Sequence, residues 1–427
     1  MVCSDCVTPD PLKKLIQRNG RLLNCQYCNN PGTVVEKNFL FDHILELVDK
    51  NIASEDDLSP YELNLIYEGG SDDIAVQGID IVLAEWFNLG DEPYFNDLMT
   101  HIPQAYLTNE HNQERHFFSD DGGLERNTYE DQWEKFVADI RHSHRFFNPN
   151  AKSFLDSVFS FLSDNNSKLK PEVVRVISKS QELYRARSVA DYAAAKKVEN
   201  DPVSELGATP NHKAGSQRMT PNGISALYCA LERETCLSEI RAITGDNVVS
   251  GAFTPTTQLK LLDLTRLTLV ELPKLTLFDD GFRDALHLKT FLDSLVKKIS
   301  KPKGRNDELS YLSTQVVFEY LRLRFGSQVD GLVFPSVQTG ESGTNVVLFP
   351  ESNVISAKQY TKPDEVEEIF DDKSAEDFEP QAKLAVITGS IRFHKIMAIE
   401  TKAKEYTHIS DLFMSDIVRK QLGLPLA

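Results

Sequence analysis

The strongest constraint on this chain lies at its start. Cys3 and Cys6 form a C-x2-C pair, and after eighteen residues Cys25 and Cys28 form a second. Two residues between thiolates let one tight turn present both sulfurs to the same ion. Two such turns complete a tetrahedral four-sulfur site of the kind that suits zinc. Four of the six cysteines of the chain fall in these first 28 residues. The pattern predicts a structural Zn2+ on Cys3, Cys6, Cys25 and Cys28, in a ribbon over residues 1–35, with a redox pair or an iron–sulfur site as the alternative. A four-thiolate site has no open position for a substrate, so its work is to fold a core-poor segment. Cys229 and Cys236 stand alone and read as small buried apolar residues.

With 427 residues the chain is too long for one small domain. Its formal net charge of −18 argues against a nucleic-acid partner, because a phosphate backbone recruits Lys and Arg. No apolar run approaches the roughly 18 residues of a membrane span. The opening "MVCSDCVTPD" is unlike a signal peptide. A cytoplasmic protein without a membrane partner is expected, and a reducing compartment disfavours a disulfide framework.

The first part of the chain reads as helical to about residue 170. "VVEKNFLFDHILELVDKN", "DDIAVQGIDIVLAEWFNL", "DQWEKFVADIRHSHRFF" and "AKSFLDSVFSFLSD" all carry apolar residues at helical spacing. Trp86 and Trp133 read as core aromatics. His142, His144 and Arg145 read as cations at a helix C-terminus, where they suit the dipole. From "QELYRARSVAD" onward short strands take over, expected at 182–188, 247–254, 259–265, 330–336, 344–349, 354–360, 383–388 and 392–400. Helices are expected at 231–243, 281–300 and 308–324. Strands and helices mixed without regular alternation predict an α+β fold. Residues 364–380 carry a dense run of carboxylates and read as solvated.

G-x-S-x-G, Walker A, G-x-G-x-x-G and H-E-x-x-H are all missing from the sequence. Three other stretches carry polar groups that could do chemistry. In "LYRARS", Arg185 and Arg187 share one face of a strand, where an arginine can clamp a phosphate or sit on an edge as a surface residue. In "GSQRMTPNGISALYCALERETCLSEIR", a loop and a short strand with Tyr228 lead into a helix with Glu239 near its end. A helical Glu is ordinarily solvated. In "FPSVQTGESGTNVVLF", Ser336 closes a strand, a Gly-rich turn follows, and Asn345 lies on the next strand.

In this order, LYRAR, RMTPNG, LYCALERETCLSEIR, DLT and FPSVQTGESGTNVVLF resemble the RES domain family over about residues 175–360. The helical part resembles the HEPN-like domain found with RES domains, with "FVADIRHSHRFF" as its nearest stretch. The resemblance implies a zinc ribbon at 1–35, a helical HEPN-like domain at 36–170, an ADP-ribosyltransferase-like RES domain at 175–405 and a tail at 406–427. It also implies an NAD+-consuming enzyme that cleaves the nicotinamide–ribose bond by hydrolysis or phosphorolysis. Such an enzyme acts as a bacterial toxin or phage-defence effector with an antitoxin or other protein partner. ADP-ribosyl transfer to a macromolecule, and a non-catalytic partner-binding module, are the alternatives. Some HEPN domains cleave RNA with an R-x4-6-H motif, which residues 1–170 lack.

Carried over by position, Arg185, Glu239 and Ser336 match the arginine, glutamate and serine of the family. Tyr228 matches the tyrosine eleven positions before the glutamate, and Arg218 the arginine preceding the loop. Thr220 stands where relatives often have Asn, which leaves the substrate contacts of the loop open. On this reading Glu239 binds the ribose and faces the developing charge, and Arg185 with Arg218 holds the pyrophosphate. Tyr228 flanks the nicotinamide, and Ser336 and Asn345 contact the substrate by hydrogen bonding, with no nucleophilic role for Ser336.

Overall fold

Apolar residues at helical spacing become a helix over Lys37–Asn51, which buries Leu40, Phe41, Ile44, Leu47, Val48 and Asn51 on one stripe. This is seen in a computed structural model that describes residues 1–58, 63, 76–109, 111–123, 127–271, 274–300, 309–340, 342–362, 381–398 and 405. The acidic run 364–380 and the tail 406–427 lie outside these residues. The chain divides into two units. One is built from Met1–Asp131 and Leu272–Phe291, the other from Gln132–Glu271 and Leu292–Ala403.

In the first unit, β1 (Val2–Cys3), β2 (Arg21–Asn24) and β3 (Pro31–Val35) form a small antiparallel sheet in the order β1-β3-β2. The helix Asp10–Asn19 packs on it through Leu12 and Ile16. The expectation of an all-helical first part is corrected at a second small sheet: β4 (Ala53–Ser54), β5 (Val76–Gly78) and β6 (His116–Phe118), in the order β4-β6-β5. The described part of the stretch expected as a helix over 72–89 opens with β5, because its backbone pairs with β6. A short helix Ile79–Ile81 and a π-turn over Val82–Trp86 follow. Trp86 packs partly buried against the core of this unit.

The sheet β1-β3-β2 brings the two cysteine pairs together. The four sulfurs lie within 4.8 Å of one another. Cys3 and Cys28 are separated by 3.7 Å and Cys6 and Cys25 by 3.8 Å. A tetrahedron with metal–sulfur bonds of about 2.3 Å has edges of about 3.8 Å, close to these two separations, so the donor set suits zinc. The same separations exclude disulfides. Burial favours the Cys25 thiol, but backbone N–H groups of Cys28 and Tyr27 aimed at its sulfur outweigh it and lower its pKa to about 6.

The second unit contains a curled mixed sheet. Its strands are β7 (Val174–Ile177), β8 (Leu183–Val189), β9 (Leu227–Ala230), β10 (Asn247–Pro255), β11 (Leu259–Asp263), β12 (Gly331–Ser336), β13 (Gly343–Leu348), β14 (Leu384–Val386) and β15 (Arg392–Lys395). The order is β14-β10-β8-β9-β13-β12-β11-β7, with β15 also on β10. Among these strands, β11 and β12 pair in parallel and the other pairs are antiparallel. One face is apolar: Leu183, Leu227, Cys229, Val249, Phe253, Val333, Val346 and Leu348 pack with Val198 and Leu206 from the helices Tyr192–Asn200 and Pro202–Leu206. The other face carries Tyr184, Tyr228, Ser250, Ser336 and Asn345, and the helix Arg233–Glu239 packs against strands of this sheet. Helices form in this unit at Pro149–Phe159 and Leu312–Phe325, and elsewhere along the chain at Thr128–His142 and Phe282–Ser300. Trp133 is buried, and His142 ends its helix as expected, while His144 and Arg145 lie just beyond it.

Two expectations for the second half are corrected. Residues 354–360 make isolated bridges at Ile355 and Tyr360 and no strand. Between them the Ser356 hydroxyl accepts the Lys358 N–H at 3.1 Å and bends the chain. The helix expected over 231–243 is shorter, because Arg241 adopts a left-handed φ of 51° just after Glu239. Among the described residues, no helix is long and apolar enough to cross a membrane.

Two outcomes follow. Chelation, or Cys25→Ser, should remove about one zinc per chain and unfold the N-terminal ribbon; metal analysis and circular dichroism check this, and a metal-free chain with unchanged melting would refute it. Gly331→Ala sets a Cβ 2.1 Å from the Val347 carbonyl oxygen across the β12–β13 pair. It should cost about 1–3 kcal/mol or more, read as a lower Tm.

Candidate functional site

Glu239 is the last residue of the helix Arg233–Glu239. Its Oε1 accepts two hydrogen bonds, from Ser336 Oγ at 2.6 Å and from Asn345 Nδ2 at 2.7 Å. Both donors are buried, Ser336 at 0% and Asn345 at 5% exposure, whereas Glu239 is half-buried. Sheet register brings the donors together: Phe334 pairs with Asn345 and Ser336 with Gly343, so both side chains rise from the same face of adjacent strands. Oε2 of Glu239 has no protein donor among the described residues. In this structure the partner of Ser336 and Asn345 is thus the glutamate.

A second set of contacts seats the helix on the hairpin. Glu232 Oε2 accepts the Thr344 N–H at 2.9 Å and the Thr235 hydroxyl at 2.8 Å. Gly343 lies directly under Thr235, where a Cβ would meet its Oγ1 at 2.1 Å. Sequence reasoning missed Glu232 and Thr235. Glu232 reaches a backbone group 112 residues away, and no local spacing announces that.

Tyr228, Arg218 and Arg185 come from the neighbouring strand, loop and strand. The Tyr228 hydroxyl accepts the Met219 N–H at 3.0 Å and lies 3.5 Å from Thr220 Oγ1, so the loop at the departing position Thr220 is pinned to the tyrosine. Burial raises the pKa of Tyr228 and keeps it a neutral phenol. Arg218 is buried at 7% exposure, with its guanidinium 5.9 Å from the Phe334 ring centroid. Its Nη1 has no hydrogen-bond partner among the described residues.

Arg185 stands on β8, on the apolar face with Leu183, away from Tyr184 and Ser336. β8 pairs with β9 only at Tyr184 and Ala230, and the Arg185 guanidinium reaches across to the Tyr228 carbonyl oxygen at 3.4 Å. The structure therefore joins Glu239, Ser336 and Asn345 by direct bonds. It sets Tyr228 beside the Arg218 loop, and it gives Arg185 no bond to the glutamate. Loss of solvent lowers the Arg185 pKa, yet an arginine remains charged in such a setting. Arg187 is exposed and paired with Glu205.

Chemically, the face of Glu239 offers one oriented carboxylate oxygen, a phenol ring, and the Arg218 guanidinium, which has no carboxylate partner among the described residues. That combination can meet a ligand carrying anionic groups at one end and a centre that gains positive charge at the other. No curated protein matches this chain. The family model of the RES domain matches residues 182–367, the stretch that carries Arg185, Arg218, Tyr228, Glu239, Ser336 and Asn345.

Proposed function

We propose that the chain consumes NAD+ by breaking the bond between nicotinamide and ribose. The observation that carries this reading is the Glu239 carboxylate, fixed at Oε1 by Ser336 and Asn345 and open at Oε2. As the C1′–N bond breaks, nicotinamide departs neutral and the ribose ring gains oxocarbenium character. A carboxylate already oriented beside that centre stabilises the charge without reorganising. Arg218, buried and without a carboxylate partner among the described residues, provides a cation for the pyrophosphate, whereas Arg185 lies on the other face of the sheet and supports the strand of Tyr228 through its carbonyl. The Tyr228 ring flanks nicotinamide and ribose.

Ser336 and Asn345 act through the glutamate and are positioning residues. In this reading the fully buried Ser336 hydroxyl serves as a donor to Glu239 and has no nucleophilic role. The acceptor of the ribosyl group is water or phosphate in this reading. Action in the cytoplasm as a toxin or defence effector, restrained by a protein partner, belongs to the same reading through the family resemblance.

Purified Glu239→Gln should lose on the order of 10²–10³ in kcat for NAD+ loss while melting like the parent. Incubation with NAD+ labelled in the adenylate part measures the rate and the product together. Free ADP-ribose or its phosphate supports the proposal, label on a macromolecule would make the reaction a transfer, and an unimpaired Glu239→Gln would sink the assignment.

A further inference from the structure

The first unit contains a second constellation, in a cleft of about 470 Å³ lined by Lys50, Thr128, Asp131, Arg283, Asp284 and His287. Thr128 opens the helix Thr128–His142 and is exposed, with its Oγ1 2.7 Å from His287 Nδ1. The Thr128 backbone N–H also donates to Nδ1, at 3.2 Å. That donation assigns the lone pair to Nδ1 and the proton of the neutral ring to Nε2. Nε2 lies 3.0 Å from Asp120 Oδ2, off the axis of an ideal hydrogen bond.

His287 and Asp120 are buried, at 3% and 6% exposure. Asp120 is held in turn by the Arg283 guanidinium and by the Gly122 N–H at 2.8 Å. Gly122 has φ +74°, and a Cβ there would sit 2.4 Å from Asn127 Nδ2 and 3.0 Å from His287 Cγ. The loop carrying Asp120 closes on the ring because that residue is glycine. Asn127, buried at 2%, ties the arrangement together: its Nδ2 donates to the Gly122 and His287 carbonyls, and its Oδ1 caps the helix that begins at Thr128. A hydroxyl, a base within hydrogen-bond reach and a third group behind the base are the components of an activated nucleophile.

We propose that Thr128, His287 and Asp120 form an acyl-transfer site that hydrolyses a small polar ester. Thr128 Oγ1 attacks the ester carbonyl carbon while its proton passes to His287 Nδ1, and Asp120 faces the imidazolium that results. Lys50, whose ammonium is also held by Glu46 at 3.0 Å and Asp280 at 3.3 Å, lines the same cleft and is the cation nearest to hand for the oxyanion of the tetrahedral intermediate. Collapse breaks the carbon–oxygen bond to the alcohol, His287 returns its proton to the leaving oxygen, and the acyl group stays on Thr128. Water then attacks the acyl-threonine, again losing a proton to Nδ1, and releases the acid with Thr128 restored. The substrate is small because the cleft holds about 470 Å³, and polar because charged side chains of both signs line it.

The test uses the full-length chain with p-nitrophenyl acetate. The parent should release many equivalents of p-nitrophenol per chain, and acid quenching should trap an acetyl group on the peptide containing Thr128. Thr128→Val should fall to the rate of buffer while consuming NAD+ like the parent, and Thr128→Ser should keep turnover with the acetyl group on the serine. Should Thr128→Val not fold, the position of the adduct in the parent and in Thr128→Ser decides. Hydrolysis by Thr128→Val at the parental rate, release limited to one equivalent, or acetylation elsewhere than residue 128 overturns the proposal. A fall in Tm of Thr128→Val with no acetyl adduct on the parent would reduce the contact to a helix cap and overturn it equally.

Discussion

Glu239 occupies the C-terminal end of its helix, where the backbone carbonyls already concentrate negative charge. A carboxylate there is disfavoured by about 0.3–1 kcal/mol. The hydroxyl of Ser336 and the amide of Asn345 offset this, since hydrogen bonds to a charged group contribute about 1.5–3 kcal/mol each. The dependence is mutual. Both donors are buried, and without the carboxylate each would be left as an unsatisfied polar group at a cost of about 1–3 kcal/mol. Helix end and strand pair therefore stabilise one another through a single oxygen atom.

That atom is reached only in one register of the β12–β13 pair. A slip of one residue would turn Ser336 and Asn345 toward the face of Val333 and Val346, and bring apolar side chains under the helix. Two features hold the register. Gly343 leaves room for Thr235, and the Thr344 N–H, free of ladder bonding on that side, donates to Glu232. The apolar face adds the larger share of stability, because Leu227, Cys229, Val333, Val346 and Leu348 are all withdrawn from water there. Packing on one face of the sheet thus positions the polar groups on the other.

How much of this was legible in the sequence depends on the range of the interaction that makes each element. β10 and the β12–β13 hairpin could be read directly, since buried apolar runs and a Gly-rich turn are local signals. The cysteine pairs were legible for the same reason. β7, β5 and β6 were not, because a strand of three or four residues has too few alternations to stand out and exists through its neighbour's backbone. The helices Tyr192–Asn200 and Pro202–Leu206 did carry a signal that was not used. Asp191 and Asp201 cap them, and Pro202 opens the second. For the site, sequence order supplied Glu239, Ser336 and Asn345 as separate residues. Their joining at Oε1 is a product of tertiary register, as is the meeting of Thr128 with His287 across 159 positions.

The electrostatics of the second unit are unbalanced where its glutamate is not. Glu239 has its partners within the protein, while Arg218 is buried with its Nη1 unsatisfied among the described residues and the Phe334 ring beside its guanidinium. Desolvating a guanidinium costs several kcal/mol, and a cation–π contact returns about 0.5–2 kcal/mol of it. The fold bears that deficit by withdrawing its own compensation elsewhere, in the apolar core beneath the sheet. An anion that reaches Arg218 removes the deficit in the folded state and has no equivalent effect on the unfolded chain, where the guanidinium is hydrated. On the proposed function, anion binding and folding stability are therefore linked at this residue.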